Sequence, residues 1–444
     1  MKELSKGRIV FTVVVALIAL GSCLRIFVCL AYNPLDFLSL LDPSRHWGNG
    51  LRFPKGAYFG ASDPIGYQVY VFFLRKLTFD NRWLVGLASA ALSVLMPWTY
   101  YRAGRNFGLR KLPALWAWAL IVWTPSLIAI YHYIMMETLL LFVDGAALWA
   151  TARYMRRRDG GAFLVAVVLW TLACLTKPSV IPLAAVCVVG SCWRNMPSLK
   201  TIATAAVLGI ALLLPQAVRT EVALGFVAPF GNPWLTKIQH RSDVQVLQVN
   251  FYSHQNRFIK FKADPHYDMT FDTPSSHVRP LAPFSDWMIR RAATRSKKSI
   301  TVNSEVGSQD WRNAYDSIDL TTSEWLALWR ENIVLFLFAP SYPETETADW
   351  VDRLELQTRW MWAPLVVFVI AGNLRGFTKR TFDLVPVAVT LFTLFLMLQN
   401  VVTFEGRYRK PLEPLLLLNV VWIVAEWKNS NGQQTFEVSQ TRQA

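Results

Sequence analysis

Long apolar runs alternate with short basic connections along this chain of 444 residues. The clearest runs are 9–24, 112–129, 135–154 and 201–218, each near the roughly 20 residues that carry a helix across hydrocarbon. Shorter or proline-broken runs extend the pattern, which predicts ten spans at 9–31, 83–101, 112–131, 134–153, 161–176, 179–193, 201–218, 359–374, 382–402 and 411–427. Lys2, Lys6 and Arg8 precede the first run as in a signal peptide, but no small-residue cleavage site follows it. It therefore reads as a retained first helix.

The basic connections set an orientation. Arg102, Arg105, Arg110 and Lys111 follow the second run, and Arg153, Arg156, Arg157 and Arg158 the fourth. Arg194 and Lys200, then Arg375, Lys379 and Arg380, mark two more such turns. Placing these inside by the positive-inside rule leaves both termini in the cytosol and two large segments, 32–82 and 219–358, outside. The expected fold class is thus an all-α polytopic membrane protein with an extracytoplasmic loop region of mixed structure. Its parts are an N-terminal transmembrane module 1–218, the loop region 219–358, C-terminal helices 359–427 and a polar, disordered tail 428–444.

Within the loop region, Trp325, Leu328, Trp329, Ile333 and Phe336 recur near helical spacing, with Ser323 as a cap and Pro340 as a stop. Seven apolar residues at 333–339 are too few to cross a bilayer, so the segment reads as an amphipathic helix lying in the interface. The acidic Glu344, Glu346, Asp349, Asp352 and Glu355 then remain outside.

Composition sharpens the class. Hydrophobic residues make up 53% of the chain, with 19 Trp and 27 Phe, too many for a soluble surface. The net charge of +15 suggests nucleic acid in a soluble protein, but here it resides in the inter-span turns, so no nucleic-acid partner is expected. Cys23, Cys29, Cys174, Cys187 and Cys192 all lie in apolar runs without metal-ligand spacing and read as small buried hydrophobes. No internal repeat is visible, which weighs against a secondary transporter.

Charges at membrane depth or at its edge are costly and mark functional candidates. Arg25 sits near the outer end of the first span, where snorkelling is the ordinary alternative. The first outer loop carries Asp42-Pro43-Ser44-Arg45-His46-Trp47 and then Asp63-Pro64-Ile65-Gly66-Tyr67. These are either two Asp-Pro turns or parts of an interfacial segment. Glu137 begins the fourth span, with Asp144 seven residues deeper on the same helical face. Asp144 is expected to pair with a neighbouring helix. Lys177-Pro178 marks an outer turn. Glu405-Gly406-Arg407-Tyr408-Arg409-Lys410 faces outward yet is basic, against the charge rule. Two guanidinium groups flanking Tyr408 suit a phosphate or diphosphate, with lipid headgroups as the alternative ligand.

Asp42 with His46 and Trp47, Met136-Glu137-Thr138-Leu139, Leu175-Thr176-Lys177-Pro178-Ser179 and Gly406-Arg407-Tyr408 resemble, in order and sidedness, the GT-C superfamily of membrane glycosyltransferases. The resemblance is to its bacterial branch, similar to protein mannosyltransferases and aminoarabinose transferases. It covers most of the chain as layout. Many members carry an adjacent Asp-Glu pair in the first outer loop; here Pro43 follows Asp42. Asp63 therefore competes with Asp42 for the catalytic acid, with Asp36 third. The resemblance implies an inverting transfer of a sugar from a polyprenyl-phosphate donor to a glycan, lipid or protein acceptor. The base would be Asp42 or Asp63. Arg407, Arg409 and Lys177 would stabilise the departing phosphate, and Arg25, Arg45, His46, Tyr67, Glu137, Glu405 and Tyr408 would line the substrate site. No metal is required. The implied location is a bacterial inner membrane, with the site extracytoplasmic. An O-antigen ligase or polymerase, or a flippase for lipid-linked glycans, shares the same membrane signature.

Overall fold

The computed structural model describes residues 2–38, 41–53, 63–224, 226–231, 246–252, 267–271, 297–303, 359–378, 383–398 and 406–441, with scattered positions between 321 and 358. Among the described residues, ten α-helices precede residue 225: α1 (Lys2–Ala31), α2 (Leu41–Arg52), α3 (Ile65–Thr78), α4 (Arg82–Phe107), α5 (Lys111–Trp123), α6 (Pro125–Ala129), α7 (Met136–Arg157), α8 (Gly160–Thr176), α9 (Ile181–Arg194) and α10 (Leu199–Leu224). A sheet follows, in which β1 (Val246–Tyr252) lies between antiparallel β2 (Tyr267–Phe271) and parallel β3 (Lys297–Asn303). Three helices close the chain: α11 (Trp362–Thr378), α12 (Leu384–Leu398) and α13 (Glu413–Thr441).

Local chemistry sets these boundaries. The Asn81 side chain accepts from the Trp83 and Leu84 N–H groups at the start of α4. Gly108, at φ 118°, ends the same helix in the left-handed conformation. Asp159 caps α8 by accepting from the Gly161 N–H at 3.0 Å. Thr124 and Pro125 break what would be one span into α5 and the short helical run to His132, bent by 65°.

α7 is the centre of the bundle, packed most extensively against α4 and α8. Gly145 permits the close approach: a Cβ there would lie 2.0 Å from the Thr99 hydroxyl and 2.8 Å from the Tyr100 ring. Met96, Tyr100, Leu140, Leu141 and Trp170 belong to the resulting core. The outer faces of α1 and α10 leave Ile9, Leu20, Val207 and Ile210 exposed, as a lipid-facing surface requires.

The ten expected spans are reduced in the structure. Among the described residues, three helices are long and apolar enough to cross a membrane: 7–31, 82–107 and 199–222. The bent α5–α6 pair makes a fourth if counted as one. α7 has the length but carries Glu137, Asp144 and Arg153. The apolar helices 160–176, 178–194, 362–377 and 384–398 are shorter than a full crossing. Pro178 opens a 3-10 turn and Pro182 lies at the start of α9, so the chain breaks between α8 and α9. The tail expected to be disordered continues the helical backbone of α13 to Thr441. In the expected interfacial helix, Ser323 is already helical rather than a preceding cap. Leu326 and Trp329 are exposed there and Phe336 is buried, whereas Trp325, Leu328 and Pro340 lie outside the described residues.

Candidate functional site

The two Asp-Pro segments of the first loop meet through an ion pair. Arg45, on α2, binds the Asp63 carboxylate, which retains 21% side-chain exposure. Asp63 precedes Pro64, the cap of α3, and Gly66 then seats that helix on the end of α8. A Cβ on Gly66 would lie 2.8 Å from the Leu175 carbonyl oxygen and 3.1 Å from the Thr176 nitrogen. Lys177 is the next residue. A glycine is needed at this contact because backbone stands opposite it.

Lys177 caps α8 and turns its side chain to Glu137 in the first turn of α7, with Nζ donating to Oε1 at 2.5 Å. Both side chains are buried. The Lys177 ammonium also lies 4.7 Å from the centre of the Tyr408 ring, a cation–π contact to the turn before α13. Tyr67 completes the link. Its ring is edge-on to His46 at 5.1 Å, and it shares an apolar cluster with Ile134, Met136 and Leu139, which flank Glu137. Burial pushes the Tyr67 phenol well above its usual range, which keeps it a neutral hydroxyl. Arg45, His46, Asp63, Tyr67, Glu137, Lys177 and Tyr408 thus form one connected cluster drawn from α2, α3, α7, α8 and the approach to α13.

Three further residues of the cluster escaped the sequence reading. Arg219, near the end of α10, donates to the Asp63 backbone carbonyl at 3.2 Å, to Gln216 at 3.1 Å and to Gln68 at 2.7 Å. It is only 4% exposed. The signal was present: an arginine closing an apolar run is as costly as Arg25, and Gln216 lies on the same helical face at i−3.

Two expected substrate ligands, Arg25 and Arg409, are engaged by groups within the protein. The Arg25 guanidinium is fully buried in the bundle. It donates to the carbonyls of Ile121 at 2.7 Å, Val122 at 2.8 Å, Leu127 at 2.9 Å and Ser93 at 3.1 Å, and to the Ser93 hydroxyl at 3.0 Å. It therefore satisfies carbonyls left open where α5 ends and the chain bends. Arg409 pairs with Glu413 at 3.0 Å, donates to the Phe336 carbonyl and lies over the Trp362 ring. Glu413 also accepts from the Ser126 hydroxyl at 2.6 Å, and Lys410 binds the Ser126 carbonyl. This network ties α13 to α6 and to the loop segment, because a buried cation must be surrounded by acceptors.

The remaining candidates divide. Asp36 is held by Arg82 in a two-pronged pair at 3.1 and 2.6 Å, a structural clamp on the start of α4. Asp144 is fully buried; neither carboxyl oxygen has a hydrogen-bond partner among the described residues, and the charge of Lys177, at the end of neighbouring α8, acts on it. Asp42 lies in the first turn of α2. Its side chain, that of Arg407, and all of Glu405 lie outside what the structure describes. No group of three or more His, Cys, Asp or Glu side chains placed to hold a metal occurs among the described residues.

The sequence matches no family model and no curated protein.

Proposed function

We infer that this chain is a membrane glycosyltransferase that moves a sugar from a polyprenyl-phosphate carrier to an acceptor hydroxyl. The observation that carries this reading is that an accessible carboxylate, Asp63, precedes α3 and a buried cation, Lys177, caps α8, while Gly66 packs these two helix ends together.

The chemistry asks for two groups. A carboxylate takes the proton from the acceptor hydroxyl as its oxygen attacks the anomeric carbon, and Asp63 is an acid of this cluster with solvent access, where Glu137 is buried. The bond from that carbon to the phosphate oxygen breaks, and its electron pair leaves with the phosphate. A cation beside the departing oxygen stabilises this charge. Lys177 supplies it, oriented by Glu137 and Tyr408. Attack from the side opposite the phosphate inverts the anomeric centre. Arg219 and Gln216 hold the backbone of Asp63 in place.

In this reading the shorter apolar helices sit in the bilayer beside the three long ones, the protein belongs to a bacterial inner membrane, and the cluster opens to its extracytoplasmic face. A polyprenyl tail would lie against apolar helix faces open to lipid.

The test is transfer by purified protein supplied with radiolabelled polyprenyl-phosphate hexoses or pentoses and candidate acceptors. Release of polyprenyl phosphate coupled to labelled product supports the reading. Failure with every donor, in protein shown to be folded, removes it.

A further inference from the structure

The far end of α7 carries a second concentration of charge that the cluster around Lys177 does not use. Glu137 and Arg156 lie 19 positions apart on one helix, which separates the two regions by about 28 Å. There, a cavity of about 450 Å³ opens between the ends of α4, α7 and α9, the start of α12 and the flank of α13. Four arginines line it, Arg105, Arg110, Arg156 and Arg194, with Asp383 as the one carboxylate and Trp422 in the wall.

The charges differ from an ordinary row of surface arginines in two respects. They arrive from four separate helix ends, those of α4, α7 and α9 and the start of α5, and converge on one concavity, which focuses their field instead of spreading it. Among the described lining residues, their compensation is one carboxylate for four cations. Asp383 stands 3.7 Å from Arg194, beyond close hydrogen-bond range. Arg105 is fixed by donating to the Leu109 carbonyl at 2.7 Å, a neutral acceptor. That bond follows from the left-handed Gly108, which folds the chain back under the end of α4.

We propose that this cavity is a second anion site, binding the phosphate group of a ligand through its arginines. Guanidinium groups match phosphate oxygens in fork geometry, and the volume accommodates a phosphomonoester or a phospholipid headgroup. A lipid would reach it from the bilayer and a soluble phosphate from water; the recognising chemistry is the same. The site is independent of the transfer reading, since it shares no residue with the Asp63–Lys177 cluster.

The experiment compares purified native protein with the triple variant Arg110→Gln/Arg156→Gln/Arg194→Gln, whose replaced side chains are exposed and leave the core untouched. Native mass spectrometry measures retention of phosphatidylglycerol against phosphatidylcholine. A parallel titration with pyrophosphate measures the soluble arm, and circular dichroism verifies the helical fold. The expected result is at least a tenfold loss of affinity in the triple variant for one of the two anionic probes. Loss confined to phosphatidylglycerol identifies a lipid site, and loss for pyrophosphate identifies a site reached from water. Equal affinity of native and variant protein for both probes overturns the proposal, as does native protein that binds neither.

Discussion

Glu137 and Lys177 form a buried ion pair that joins the first turn of α7 to the residue capping α8, with 2.5 Å between Nζ and Oε1. Each charge makes the other tolerable at a position with little water. Removing one partner strands the other and costs about 3–5 kcal/mol.

Glu137→Gln and Lys177→Met are therefore each expected to lower the unfolding temperature, and the double variant to recover much of the loss. Transfer should be absent from Lys177→Met and from the double variant alike. Thermal unfolding in detergent, read beside the transfer assay, separates the two effects. A double variant that is stable and fully active denies Lys177 any part in the chemistry.

Gly66→Ala tests how closely α3 must sit on α8. The added methyl would meet the Leu175 carbonyl at 2.8 Å, and backbone cannot step aside as a side chain can. The expected cost is about 1–3 kcal/mol of stability. A drop of at least tenfold in turnover is expected with it, because Asp63 moves relative to Lys177. Wild-type turnover in this variant would show that their spacing does not matter.

Arg25 is expected to be a structural residue. Arg25→Met leaves the carbonyls of Ile121, Val122 and Leu127 unsatisfied at the bend after α5. The loss is about 3 kcal/mol or more, as for other buried polar groups left without partners. Per folded molecule, the donor KM should not change. A raised donor KM with unaltered stability would return Arg25 to the substrate site.

Glu413 is expected to dominate the stability of the C-terminal packing. It is the counter-ion of Arg409 at 3.0 Å and lies 3.8 Å from Lys410, with all three fully or nearly fully buried. Glu413→Gln should cost about 3–5 kcal/mol, seen as a fall in unfolding temperature. Arg409→Met in the same background should restore part of it. No recovery in the double variant would show that the pair is not coupled.

Much of the cluster was legible because charge near a membrane edge has few inexpensive places to go. Glu137 and Lys177 stood out for that reason, and Tyr408 through the arginines on either side of it, although the contacts among the three were not legible. Arg25 and Arg409 were equally visible as charges, but their roles depend on carbonyls exposed by a bend at Thr124 and by the segment at Phe336. Sequence spacing does not reveal those partners. Arg219 was hidden because it closes an apolar run and looks like a boundary marker. The span count was overestimated because an apolar run marks a buried segment without fixing the length of its helix: 160–176, 362–377 and 384–398 are apolar but shorter than a crossing.

The most direct test is a comparison of Asp63→Asn with native protein in a single-turnover transfer assay on a labelled polyprenyl-phosphate sugar. The account predicts a rate lower by about 10²–10⁴-fold with donor affinity preserved. Transfer at the native rate by Asp63→Asn would contradict it.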